Sequence, residues 1–421
     1  MNRREIGRER GRAAATKLSA MTRQDMDEAF ASAKQLHPTL GDADLEAMVR
    51  DYDRERLACE PDYAQFPEMK GLLDEHVGER EGFAEAGVDA TTTAYHFSWA
   101  WLLTRRITAH HLARYDLLPH SCTNAFVPES KEGGIVEADN RDDRAQESYR
   151  EGIPKWRCDP PADATAAAKW EWRRAGVSSG VLLDDEPACC FPCNPDELMP
   201  EECLDDIHAI VDFMTRYREF WGPCNTIFVD RKLNAVAVEK SNCRVGYRWP
   251  DATGAAAVTA CSYLTPEMNA FRAARFRKAM ETKGETEADC PDWIGMKGSD
   301  RRHQRLIDLT NAEAARGATL WGMLNVVADT DVPFPDRICL AGQTALPEKE
   351  PMPNWTLTQH ATVSSGPNRR TLYRSMERLD PPKPIVETPL KLVLGEGVKM
   401  KPEWQADVDA GRCVLDERSK G

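Results

Sequence analysis

An α+β layered arrangement of hairpin-built sheets and outer helices is what this 421-residue sequence predicts. Two observations carry that expectation. Residues 22 to about 115 are helical in texture, whereas from Cys122 onward short Val-, Ile-, Thr- and aromatic-rich runs alternate with turns. Strands joined as hairpins, with a few separate amphipathic helices, pack as sheets with helices outside rather than as a doubly wound parallel sheet. A third observation excludes a class: no Gly-rich phosphate loop follows any predicted strand.

Along the chain, "DMDEAFASAKQLHPTL" has a weak apolar face and ends before Pro38, while "GDADLEAMVRDYDRERL" opens on the capping and first-turn acids Asp42 and Asp44. The run "TTTAYHFSWAWLLTRRITAHHLARYDLL" predicts a longer buried helix, with Arg105 and Arg106 arguing against a membrane span. Strands follow in "CTNAFVP", "GGIVEAD", "AGVSSGVLL", "NTIFVD", "NAVAVEK", "CRVGYRW" and "AAAVTACSYL", with a hairpin turn at Lys232 to Asn234. Between them, "PEECLDDIHAIVDFMTRYREFW" reads as one continuous helix. Leu204, Ile207, Val211, Met214 and Tyr217 recur at helical spacing, with His208 as a packed core histidine near that stripe. Further helices are expected from Pro266 to about Lys283 and from Ser299. "NWTLTQHATVSSGPNRRTLYRSM" reads as a hairpin, and the proline- and charge-rich residues 382–421 as a wrapping tail.

Composition narrows the function. A formal net charge of −14 argues against a phosphate-binding surface, so no nucleic-acid partner is expected. No apolar run approaches the ~20 residues of a membrane span. The basic start lacks the apolar core of a secretory signal, so a cytoplasmic location is expected. Thirteen cysteines without regular spacing do not form a disulfide framework. Cys189, Cys190 and Cys193 have no matching second half for a zinc site, so neither metal nor cofactor is expected.

One constellation suggests chemistry: a cysteine heads a β-prone run in "SCTNAF", followed by "GGIVEADNRDD". With "GPCNTIFVDRKLNAVAVEKS", "VTACSYLTPEMN", "GSDRRHQRLIDL", "LWGMLNVVADTDVPFPDRICL" and "TLTQHATVSSGPNRRTLYRS", the order of segments resembles the isopenicillin N acyltransferase-like family of autoproteolytic cysteine N-terminal-nucleophile (Ntn) hydrolases. The likeness covers roughly residues 115 to 378. It implies a four-layer αββα sandwich with an N-terminal helical segment. It also implies self-cleavage between Ser121 and Cys122 into a helical light chain or pro-segment (1–121) and a heavy-chain core (122–421).

The activity so implied is hydrolysis or transfer of an acyl group from a small-molecule amide or thioester through a Cys122 acyl-enzyme. The new α-amino group, of pKa about 7.7–8.0, would serve as base. The matching positions are Asp142, which orients that amine, Asn140, which matches the motif asparagine, and Arg302 on a helix. Arg302 shares a face with Leu306 and Leu309, so it is expected inside, against a carboxylate. Asp143 competes with Asp142 for its role. The sequence departs from the family at Ala260-Cys261-Ser262-Tyr263, where Cys261 replaces an oxyanion-donating asparagine. Asn124 and Asn225 are the candidate replacements, and Cys261 and Tyr263 the candidate substrate contacts. Ser121 stands where glycine is common, and Arg141 where an apolar residue is usual. The alternative is a catalytically inactive protein of the same fold with a binding or structural role.

Overall fold

A computed structural model describes residues 2–36, 38–58, 66–98, 122–131, 133–144, 174–179, 199–218, 224–230, 232–241, 243–259, 262–283, 286, 296–333, 336–339, 355–363, 370–376, 386–392, 400, 402–411 and 413–415. The protein is α+β. Its helices are α1 (Arg3–Leu36), α2 (Asp42–Ala58), α3 (Lys70–Glu85), α4 (Ala90–Ser98), α5 (Ile207–Arg216), α6 (Pro266–Lys283), α7 (Met296–Ala315), α8 (Leu320–Val327) and α9 (Pro402–Asp409). Its strands are β1 (Thr123–Val127), β2 (Val136–Arg144), β3 (Arg174–Ser179), β4 (Cys224–Val229), β5 (Ala235–Lys240), β6 (Val245–Arg248), β7 (Ala256–Thr259), β8 (Trp355–Val363), β9 (Arg370–Met376), β10 (Val386–Leu392) and β11 (Cys413–Leu415).

The strands form a seven-stranded sheet in the order β11-β10-β9-β8-β2-β1-β7 and a four-stranded sheet in the order β3-β4-β5-β6. Alternation along β1 and its neighbours sorts the core. Ala125, Val127, Val136, Ala138 and Ala257 pack under Leu306 of α7 and Leu320, Met323 and Leu324 of α8. Phe126, Ala256 and Val258, on the opposite face, meet Ile227, Val229, Ala235 and Ala237 of the smaller sheet. The outer face of that sheet, with Phe228, Val236 and Val238, is covered by Ile207, Ile210 and Met214 of α5. Burying both faces of β1 explains its run of Ala125, Phe126 and Val127, since a strand covered on two sides has no solvent face to fill.

Several expectations change here. The helix predicted over 200–221 is a short 3-10 turn at Glu201–Asp205 followed by α5. Asp206 is extended (φ −145°, ψ 114°), and its side chain caps α5 by accepting from the His208 N–H. His208 is exposed beside the Trp249 ring, 4.9 Å away, rather than packed in the core. Helix α7 begins at Met296, three residues before the expected start at Ser299. The C-terminal segment does more than wrap: β10 and β11 extend the large sheet, with β11 parallel to β10. Helix α1 begins at Arg3, in the basic stretch that the sequence left without structure. The expected long helix after Thr91 is described as α4, and residues 99–121 lie outside the described residues.

Candidate active site at the head of strand β1

Cys122 immediately precedes β1 and is half-buried. The hairpin expected from "CTNAF" and "GIVEAD" forms as an antiparallel pair, with Thr123 opposite Asn140 and Asn124 opposite Asp139. Strand β2 then runs on past the start of β1 to Arg144, paired there with β8. The backbone of Asp142 therefore lies just beyond the point where Cys122 enters the sheet. On its other side, Thr123 pairs with Thr259 at the end of β7. Strand alternation places Cys122 on the same face as Asn124 and Phe126, toward the smaller sheet.

The other predicted residues arrive at this same end. Asn140 is fully buried and donates through Nδ2 to the Ile338 carbonyl at 3.4 Å. Arg302, 5% exposed, donates to the same carbonyl from Nε at 3.1 Å and again from its terminal nitrogen. Its interior position was expected; the backbone acceptor at Ile338 was not. Asn225, at the start of β4, donates both amide hydrogens, to the Thr259 carbonyl at 2.6 Å and the Ser262 carbonyl at 2.9 Å. Those bonds tie the smaller sheet to Thr259 and Ser262, and they leave the Asn225 amide with no hydrogen for an oxyanion. Tyr263 is buried and donates its hydroxyl to the Lys240 carbonyl at 2.7 Å, which makes it a structural tie at the end of β5. Ser121 and Cys261 lie outside the described residues, as do Cys189, Cys190 and Cys193.

Asn124 differs from Asn225. It is 2% exposed and its Nδ2 has no hydrogen-bond partner among the described residues. An orphaned buried donor costs free energy unless something accepts from it. Asn124 lies two positions from Cys122 on the same strand face.

Sequence reasoning missed Glu137 and Asp139. They flank Ala138 on β2 and so share the face occupied by Asn124, because alternate residues of a strand point the same way. That spacing was legible in "GIVEAD" as two acids at i and i+2. Burial, and secondarily the Asp139 charge, push the Glu137 carboxyl up to about 8. Also missed was Glu239, fully buried, whose carboxylate accepts from the Leu264 and Thr265 N–H groups at 2.9 Å and from Arg248 Nε at 2.6 Å. The Arg248 guanidinium in turn lies 2.8 Å from Nε2 of buried His303, whose pKa is pushed well below its usual value, by burial first and then by Arg248. Glu239 thus holds the segment after Cys261 from the β5 side, as Asn225 does from β4.

Among the described residues no group of three or more His, Cys, Asp or Glu side chains is arranged to hold a metal ion. None of the described helices is long and apolar enough to cross a membrane. No protein-family model matches the chain, and no curated protein matches it either.

Proposed function

We propose that this chain is a self-processing cysteine amidohydrolase or acyltransferase of the Ntn type, built as a four-layer αββα sandwich. The observation that carries the reading is convergence. Cys122, Asn124, Asn140, Asn225, Tyr263 and Arg302 were singled out from separate stretches of sequence. They lie at the same end of the sheets, Cys122 and Asn124 on the face toward the smaller sheet and Asn140 and Arg302 on the helix-covered face, where both donate to the Ile338 carbonyl.

In the first step the Cys122 thiol adds to the Ser121 carbonyl. The amide nitrogen leaves with a proton as the Cys122 amine, and a thioester joins Ser121 to the sulfur. Water cleaves that thioester, giving a Ser121 carboxylate and a Cys122 that carries both a free thiol and a free α-amine. In the second step the amine, with an ordinary pKa of about 7.7–8.0, accepts the thiol proton and the thiolate attacks the substrate carbonyl. The leaving amine takes the proton as the tetrahedral species collapses, and water or an amine acceptor releases the acyl group. Asp142 orients the α-amine from the overhanging end of β2. Asn124 donates to the oxyanion, the part that Asn225 cannot take because its amide hydrogens are already committed. Asn140 and Arg302 act as positioning residues through Ile338.

Denaturing electrophoresis and intact-mass measurement test this directly. Two chains are expected, the heavier beginning at Cys122, and Cys122→Ala should remain one chain. Asn124→Ala should cleave small amides about 10²–10³-fold more slowly, the usual cost of one oxyanion donor. A wild-type chain that stays whole on prolonged incubation would falsify the reading. It would favour instead an inert protein of the same fold with a binding role, to which Cys261 in place of an asparagine already points.

A further inference from the structure

The end of β7 and the residues after it are gripped by side chains to which the proposed chemistry gives no part. Glu239 of β5 accepts from the Leu264 and Thr265 N–H groups and from the Thr265 hydroxyl, each at 2.9 Å. Ser262 donates its hydroxyl to Asp300 of α7 at 3.0 Å, and Asp300 also pairs with Arg272 of α6. Arg248 of β6 joins these contacts to the large sheet. Its Nε donates to Glu239 at 2.6 Å, while one terminal nitrogen donates to the Ala257 carbonyl at 2.7 Å and lies 2.8 Å from His303 Nε2. Strand β7 is the last strand of that sheet. Ala257 stands opposite Ala125, and Thr259 opposite Thr123, the residue after Cys122.

A guanidinium carries only donors, so His303 Nε2 must offer a lone pair, and the imidazole proton sits on Nδ1. The ring is therefore neutral where it meets Arg248. His303 is fully buried, and burial first, then the Arg248, Arg272 and Arg302 charges, oppose its protonation. The acids of the cluster are already committed, Glu239 to Arg248 and Asp300 to Arg272. Lysine could not make the contacts of Arg248, because an ammonium lacks the planar fork that spans a carboxylate, a carbonyl and an imidazole.

We propose that Arg248 is a positioning residue for the chemistry at Cys122, holding β7 at Ala257 and, through Glu239, the Leu264–Thr265 segment. The reaction it serves is the one proposed above, and the inference rests on that reading. Strand β7 flanks β1 on the side away from β2, so a shift of its end moves the support on which Cys122 enters the sheet. A displacement of about 1 Å at a reacting atom can cost on the order of 100-fold in rate.

Self-cleavage before Cys122 reads this role without any choice of substrate. The full-length chain is made by cell-free translation, and the appearance of two chains is timed on denaturing gels. Arg248→Lys should cleave about tenfold to a hundredfold more slowly than wild type. His303→Leu, which removes the acceptor, should slow cleavage in the same way, and His303→Gln, which restores one, should recover most of the rate. Circular dichroism identifies the variants that have folded. Folded Arg248→Lys and His303→Leu chains that cleave as fast as wild type would overturn the inference and leave the Ntn reading standing. A wild-type chain that never cleaves removes both. Should the variants fail to fold, nitrogen-15 spectra of the wild-type imidazoles at neutral pH decide. His303 protonated at Nδ1 alone upholds the inference, and a proton on Nε2 overturns it.

Discussion

The carbonyl oxygen of Ile338 receives hydrogen bonds from Asn140 on β2 and from Arg302 on α7, so one backbone atom ties a strand to a helix. The Arg302 interaction is the stronger of the two, because a charged donor roughly doubles the strength of a hydrogen bond. Arg302→Met should therefore cost about 2–4 kcal/mol, and Asn140→Ala about 1 kcal/mol, in urea unfolding. Not every buried polar group here stabilises. The Thr123 and Thr259 hydroxyls face each other across β1 and β7, buried and without partners among the described residues. Thr123→Val should be neutral or slightly stabilising, within about 1 kcal/mol, since it removes an unsatisfied oxygen at constant shape. Two titrating groups, half-buried Glu137 and buried His303, act in opposite directions. Folded Glu137 keeps a proton up to about pH 8, whereas the unfolded chain releases it near 4.5. Its contribution is present below pH 4.5 and lost as pH rises toward 8. Folded His303 resists protonation, so its contribution is lost as pH falls below about 6.5. Urea midpoints measured from pH 5 to 8.5 should fall less steeply on the alkaline side in Glu137→Gln than in wild type.

At the scale of elements, α1 and α3 show which force wins at a charged interface. They run in the same direction, and Gly7 and Gly11 of α1 meet Gly78 and Gly82 of α3. A Cβ on Gly7 would stand 1.9 Å from the Glu75 carbonyl oxygen, and one on Gly78 would stand 2.0 Å from that of Arg4. Only glycine permits that approach. Arginines of α1 line up with acids of α3 along the seam: Arg4 and Arg8 on Glu81, Arg10 on Glu79, Arg12 on Glu85. The two guanidiniums hold the Glu81 carboxyl down at about 2. These pairs are largely exposed, and exposed pairs contribute little because solvent screens them. Replacing Arg8 with alanine should leave the urea midpoint essentially unchanged. Gly78→Leu should cost about 3 kcal/mol or undock the helices, since the clash is with backbone that cannot swing away. Circular dichroism with urea titration distinguishes the two outcomes. The first part of α1, before residue 22, escaped the sequence reading because two glycines and a run of arginines lower local helix preference and blur the apolar face. Contact with α3, some seventy residues away, outweighs that preference.

For the molecule as a whole, the helical N-terminal part and the sheets share a small aromatic joint. Met69 and Tyr217 are buried together with Phe66 and Phe213 around them. The Phe66 and Tyr217 rings lie 5.4 Å apart, and Phe213 and Tyr217 4.4 Å apart. If the chain is cut before Cys122, this joint helps to keep the two pieces together. Tyr217→Ala should weaken their association by about 3 kcal/mol, seen as separation of the two chains on gel filtration at a lower urea concentration. The same variant of an uncut chain would lower the unfolding midpoint and release no fragment, which separates the two cases.

The sequence by itself determined what depends on near neighbours: the strand that follows Cys122, the hairpins around it, and the inward face of Arg302. Side-chain periodicity of 2 or 3.6 residues is a local property, so it survives without knowledge of the rest of the chain. It misled where a single residue interrupts the period, as Asp206 does before α5. Tertiary structure alone decided how each polar group is used. Asn124 and Asn225 were equivalent candidates on paper, yet Asn225 has both hydrogens bound to backbone while Asn124 has an unmatched donor on the strand face that it shares with Cys122. Hydrogen-bond commitment, burial and the meeting of Glu137 with Asn124's face follow from partners far along the chain, and no local pattern encodes them.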